Sequence, residues 1–261
     1  MPHVHGNRVN ALIVSGNMSF QIVSAVRVLA PAFLLAMGMV LASCSPDAVA
    51  DPFDDNGELI ALSGGDAGAQ AACHTCHGLN GGGDGALVPR IAGLNSGYLV
   101  RQLTFFAEGQ RQHPQMSWLA ARLDPAERLA VSQYYAEMPM PAPDSLDRRI
   151  ALAADLRCEF GKAETIYQIG IPKRGLQSCA ACHGPQAGGL GAGNPSLAGQ
   201  SSTYLAKQLK DWRQGRRYGD PLQVMHEAAS KLREDEIRPL ADYIAYDLAP
   251  PRRPGSPAGC P

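Results

Sequence analysis

Cys73-His74-Thr75-Cys76-His77-Gly78 stands 106 residues ahead of Cys179-Ala180-Ala181-Cys182-His183-Gly184, and this pairing decides how the chain is organised. The same offset carries Pro89-Arg90-Ile91-Ala92-Gly93 onto Pro195-Ser196-Leu197-Ala198-Gly199. It also carries Tyr98-Leu99-Val100-Arg101-Gln102-Leu103 onto Tyr204-Leu205-Ala206-Lys207-Gln208-Leu209. Phe106, Gly109 and Arg111 fall on Trp212, Gly215 and Arg217. Beyond them the offset becomes 109, a three-residue insertion, and Met116, Leu123 and Tyr134 align with Met225, Leu232 and Tyr243. One register held across many residue types marks an internal duplication. The expected boundaries are 51–144 for the first copy and 145–249 for the second. A leader (1–50) and a Pro-rich tail (250–261) flank them.

Each copy reads as all-α, with helices joined by Gly-rich loops at 81–85 and 188–193. The spacing predicts a first helix over 58–72 in one copy and 155–169 in the other, each leading into its cysteine motif. Further helices are expected at 96–108 and 202–214. The last helix of copy one opens on Asp124-Pro125-Ala126-Glu127, which combines an N-cap, Pro at the first helical position and a capping-box Glu. Its counterpart opens near Arg233 and runs to about Asp247. Pro139, Pro141 and Pro143 set the linker at 138–150.

C-x-x-C-H is a haem-attachment pattern. Two cysteines three apart can each form a thioether to one edge of a porphyrin, and the adjacent histidine then sits under the iron. A zinc site would need a second ligand pair in each half, and neither half offers one. The expected cofactors are therefore two covalently bound haem c groups. Cys73, Cys76, Cys179 and Cys182 are the attachment residues, and His77 and His183 the proximal ligands. For the sixth ligand, Met225 is the only methionine after His183. Of Met116, Met138 and Met140, only Met116 holds the equivalent place in the repeat. His113 and His226 are rival ligands, but they do not align with one another. His/Met ligation leaves iron no open position and raises its reduction potential relative to bis-His ligation. That chemistry predicts electron transfer without a small-molecule substrate. Candidates for the apolar shell are Leu94, Tyr98, Phe105, Trp118 and Leu123, then Leu197, Tyr204, Leu209, Trp212 and Leu232.

A net charge of −1 over 261 residues argues against a nucleic-acid partner. The charge is uneven, with five Lys/Arg against eleven Asp/Glu in 51–145 and sixteen against twelve in 146–261. Residues 28–42 form an apolar run after Arg27, laid out like an export signal and too short for a comfortable membrane span. Met18 is the expected start of that signal. The run ends in Leu41-Ala42-Ser43-Cys44, which resembles a bacterial lipobox, with Cys44 as the lipid-bearing residue. Ala48-Val49-Ala50 is the alternative, an ordinary cleavage site that would release the protein.

From about residue 57 to 249 the chain resembles the cytochrome c4 family of di-haem cytochromes. The likeness rests on tandem C-x-x-C-H-G, P-x-x-A-G followed by Y-L-x-x-Q-L, G-x-R, and a Met ahead of a closing helix with Tyr. The resemblance implies two tandem class I cytochrome c domains whose first and last helices cross. It implies that the Pro89 and Pro195 carbonyls accept the histidine ring N–H, and that Arg111 and Arg217 can pair with haem propionates. It also implies a periplasmic electron carrier between a quinol-oxidising complex and a terminal oxidase. A haem-bearing, electron-accepting subunit of a membrane-associated dehydrogenase is the alternative, and a di-haem enzyme is a third. Cys158 and Cys260 remain unassigned. In an oxidising compartment they suggest a disulfide, since the first and last helices meet in this fold.

Overall fold

The structure, a computed structural model, describes residues 56–141, 160–219 and 222–248. The apolar run 28–42, Cys44, the Ala48–Ala50 site, Cys158, Cys260, most of the linker and the C-terminal tail lie outside them. Among the described residues no helix is long and apolar enough to cross a membrane.

Among the described residues the first half contains five α-helices. Helix α1 (Gly57–Ser63) is capped by Asn56, whose Oδ1 accepts the Leu59 N–H at 2.8 Å. It is much shorter than the expected 58–72. Gly64 turns left-handed at φ +86°, and a Cβ there would come within 2.0 Å of the Gly68 carbonyl oxygen. The chain then continues as two 3₁₀ turns, Gly65–Ala67 and Ala69–Ala71. Helix α2 (His74–His77) is one turn holding the motif, and α3 (Ser96–Ala107) starts at an Asn95 cap. Helix α4 (Pro114–Ala120) carries Met116. Helix α5 (Pro125–Glu137) opens on the anticipated capping box: Asp124 accepts the Glu127 N–H at 2.8 Å and Glu127 accepts the Asp124 N–H at 2.6 Å.

The second half repeats the plan with α6 (Gly161–Gln168), α7 (Ala180–His183), α8 (Ser202–Arg213), α9 (Val224–Ser230) and α10 (Glu234–Asp242). The last helix widens into a π turn at Tyr243–Asp247.

Two separate cores form. One gathers Ile60, Leu94, Leu99, Leu123, Val131 and Tyr135; the other gathers Phe160, Tyr167, Leu205, Leu232, Ile237 and Leu240 with their neighbours. Each buried aliphatic side chain contributes about 1.5–3 kcal/mol. In the first core α1 crosses α5 closely enough that a Cβ on Gly57 would stand 2.2 Å from the Ala130 carbonyl oxygen. This crossing backs the motif turn against a rigid pair of helices and leaves α2, α3 and α4 to wall a cavity.

Candidate functional site

That cavity, about 1550 Å³, runs through both halves. Its wall includes Cys73, Cys76, His77 and Met116 from the first half and Cys179, Cys182, His183 and Met225 from the second. The structure thus brings together every attachment and ligand residue expected from the spacing. His226 is not on the wall. It is turned toward the Trp212 carbonyl, with Nδ1 2.7 Å from that oxygen. His113 reaches the cavity, but its Nδ1 caps α4 by accepting the Met116 N–H at 3.4 Å.

The two motif histidines are set identically. His77 Nδ1 lies 2.9 Å from the Pro89 carbonyl oxygen, and His183 Nδ1 lies 2.9 Å from that of Pro195. A carbonyl can only accept, so each Nδ1 carries the proton. Burial lowers both imidazole pKa values and keeps the rings neutral, although the proline carbonyls oppose the shift. A neutral ring protonated at Nδ1 has its lone pair on Nε2, as metal ligation requires. Burial also pushes the Cys73 and Cys179 thiols up to about 11. Among the described residues no three His, Cys, Asp or Glu side chains gather into a metal cage.

The walls differ in part from the expected shell. Leu94, Leu123, Leu232 and Trp212 are buried along the cavity, and Trp118 lines it while 39% exposed. Phe105 instead packs edge-on against Tyr218, and Phe106 takes the cavity wall. Phe106 is the repeat mate of Trp212, so the register along the chain distinguishes it from Phe105.

Polar groups meet at the joint between the halves in a reciprocal pattern. Arg111 donates to Tyr204 Oη at 3.2 Å and Gln208 at 3.1 Å, while Arg217 donates to Tyr98 Oη at 3.1 Å. Arg111 also donates to Gln102 at 2.8 Å. Tyr98 and Tyr204, like Arg111 and Arg217, are repeat mates, so the joint is nearly two-fold. Burial and the neighbouring Arg111 both lower the Arg217 pKa. Although burial opposes it, the two arginines draw the Tyr204 phenol below its usual range. The Arg217 Nε–H is buried with no hydrogen-bond partner among the described residues. Crowded buried cations with donors to spare on a cavity wall suit the propionates of haem. The cavity, its neutral ring ligands and its spare donors fit the cofactor expected from the motifs.

Sequence reading missed Arg90 and Gln200, which clasp the two halves, and the buried Tyr135 and Tyr167 behind the motifs. Arg90 had a signal, since it is the position where P-x-x-A-G differs most in kind between the copies.

A family model described as cytochrome c matches residues 173–246. The chain is 38% identical over 191 residues to the thiosulfate dehydrogenase electron acceptor of Stutzerimonas stutzeri strain A1501, covering 73% of this chain and 85% of that one. Among solved structures, it resembles the TsdBA thiosulfate dehydrogenase of Marichromatium purpuratum with a TM-score of 0.60 and 37% identity. That match covers 80% of this chain and 44% of the other. Reduced recombinant cytochrome c4 from Pseudomonas stutzeri aligns with a TM-score of 0.59 and 28% identity, covering 67% and 93%.

Proposed function

Because the chain belongs to the di-haem class I c-type cytochromes, the family of cytochrome c4 and the thiosulfate dehydrogenase electron acceptors, we propose that its two matched ligand sets make both haems six-coordinate electron-transfer centres. The protein is an electron carrier, with two haem c groups covalently bound in two tandem helical domains. When bound, each haem supplies a one-electron couple. Cys73 and Cys76, then Cys179 and Cys182, hold the two porphyrins by thioethers. His77 with Met116 and His183 with Met225 would hold the two irons, leaving no site for an oxygen or peroxide ligand. The Pro89 and Pro195 carbonyls keep each ring at one tautomer and angle. Leu94, Leu123, Leu232 and Trp212 exclude water and favour the less charged ferrous state. Arg111 and Arg217 would receive the propionates.

The observation that carries this reading is the pair of 2.9 Å His–Pro contacts on one cavity that also holds Met116 and Met225. The test is an optical study of the purified protein. It should hold two haems per chain and show the red-region band of ferric iron–methionine ligation. Met116→Ala and Met225→Ala should each remove about half of that band. A band left unchanged by both substitutions refutes the ligand assignment.

The partner reading follows the relatives. A 38% identical protein is named for accepting electrons from thiosulfate dehydrogenase, so a periplasmic dehydrogenase of that class is the proposed donor. A terminal oxidase is the proposed acceptor. Cys44 would hold the molecule to the membrane by a lipid, and Cys158 with Cys260 would form a disulfide. Reduction of the haems on mixing with such a dehydrogenase and thiosulfate tests the donor. Fatty-acid labelling lost in Cys44→Ala tests the anchor.

A further inference from the structure

One cation at the joint has no repeat mate. Arg90 follows Pro89, the acceptor of His77, and its counterpart Ser196 follows Pro195, the acceptor of His183. Arg90 is 2% exposed. Its Nη1 donates to the Ala92 carbonyl in its own loop. Its Nη2 crosses to the other half, donating to the Ala198 carbonyl at 2.8 Å and lying 3.4 Å from Ser196 Oγ. Gln200 clasps the Arg90 backbone, accepting its N–H at 3.1 Å and donating to its carbonyl at 2.6 Å. The counterpart of Gln200 is Leu94, which is committed to the first core, so the clasp runs one way only. Arg90, Ser196 and Gln200 all line the cavity.

Every hydrogen-bond partner of this guanidinium is neutral. Burial pushes its pKa down to about 10, and it stays charged at neutral pH. A charge whose partners are two carbonyls and a hydroxyl in a low-dielectric joint acts on its surroundings with little screening. Reduction adds one negative charge at an iron, so a fixed neighbouring cation favours it. The only links between Arg90 and either motif histidine are one proline, and for His183 also the Ser196 contact.

We propose that Arg90 is a positioning residue shared by both haem sites, tying the loop behind His77 to the loop behind His183 and setting one positive charge that favours the reduced state of both. This rests on His77 and His183 being the proximal ligands.

Potentiometric titration of the two-haem protein tests it. Arg90→Gln removes the charge and should weaken reduction of both haems on the order of tenfold, equivalent to about 59 mV for a one-electron couple. Arg90→Lys keeps the charge but lacks the fork that spans two carbonyls. It should hold both potentials near wild type while lowering the thermal midpoint. Ser196→Asp, which would set a carboxylate against Arg90, should shift both potentials as Arg90→Gln does and serves if that variant does not fold. The proposal is overturned if Arg90→Gln or Ser196→Asp moves one haem alone or neither, or if Arg90→Lys moves both as far. The wild-type iron–methionine band and haem count are read first. Their absence would sink the ligand assignment, whereas their presence with unmoved potentials sinks Arg90 alone.

Discussion

The two halves place a buried tyrosine against the same motif position but draw it from different helices. In the first half Tyr135, on the last helix α5, lies beside Cys73 and against Gly81. In the second half Tyr167, on the first helix α6, neighbours Cys179 and Ala187 and donates to the Gly184 carbonyl at 2.8 Å. Cys73 and Cys179 are repeat mates, as are Gly81 and Ala187. The aligned partners of the tyrosines themselves are Ile244 and Ala61. The duplication has therefore kept a buried ring against the motif while exchanging the residue that supplies it. The loop has followed. Gly81 adopts φ +63°, where a Cβ would sit 2.9 Å from Ala92 Cβ and 3.0 Å from the Tyr135 ring. Ala187 carries a real Cβ at φ +57° and is fully buried.

A second contrast sits at the start of the last helix. Glu127 and Glu236 are mates, and both accept the N-cap backbone N–H. Glu127 is half-buried and makes only the capping box. The Glu236 side chain is 2% exposed and holds Arg174 through contacts of 2.8 and 2.7 Å.

Glu236→Gln should have the largest effect among tests of these contrasts. It removes the charge that faces Arg174 while keeping one acceptor, and should cost the second half about 3 kcal/mol, the low end for a broken buried pair because Arg174 is 28% exposed. Glu127→Gln keeps a capping-box acceptor and should change the first half by about 0.5 kcal/mol or less. Amide hydrogen exchange read peptide by peptide separates the two; equal losses would erase the contrast. Acid sharpens it. Burial opposes the shift, yet the Arg233 N–H and Arg174 hold the Glu236 carboxyl below its usual value. Its stabilisation is complete above the unfolded carboxylate pKa and is lost as pH falls through the depressed folded value. Exchange in the second half should therefore accelerate over that acid range in the wild type, and Glu236→Gln should flatten the dependence.

Gly81→Ala comes next in size. It should destabilise the first half by about 1–3 kcal/mol through overpacking against Tyr135, whereas Ala187→Gly, which removes a buried methyl but relieves a left-handed φ of +57°, should change the second half by about 0.5 kcal/mol or less. The same exchange measurement decides, and a harmless Gly81→Ala would refute the account of the Tyr135 contact. Tyr167→Phe should be the mildest of the larger-side substitutions, at about 1 kcal/mol for one buried hydrogen bond to Gly184.

The repeat, the helix at 96–108 and the capping box at Asp124 were legible because each rests on spacing along the chain. The first helix was misjudged because apolar periodicity continues through Gly64, Gly65 and Gly68, while the backbone leaves the right-handed region at Gly64. Phe105 was named in place of Phe106 although the repeat register already set Phe106 against Trp212, the shell candidate of the second copy.

The sequence alone determined the two-fold plan and the cofactor, since periodicity and motif spacing are local properties that survive without a fold. Only the tertiary structure decided that one cavity serves both halves, that Tyr98 and Tyr204 trade arginine partners, and that Arg90 and Gln200 break the symmetry. Those contacts join residues 90 to 120 positions apart. Nothing along the chain encodes such a distance; it appears only when two cores have packed and the polar groups left at their joint must find partners.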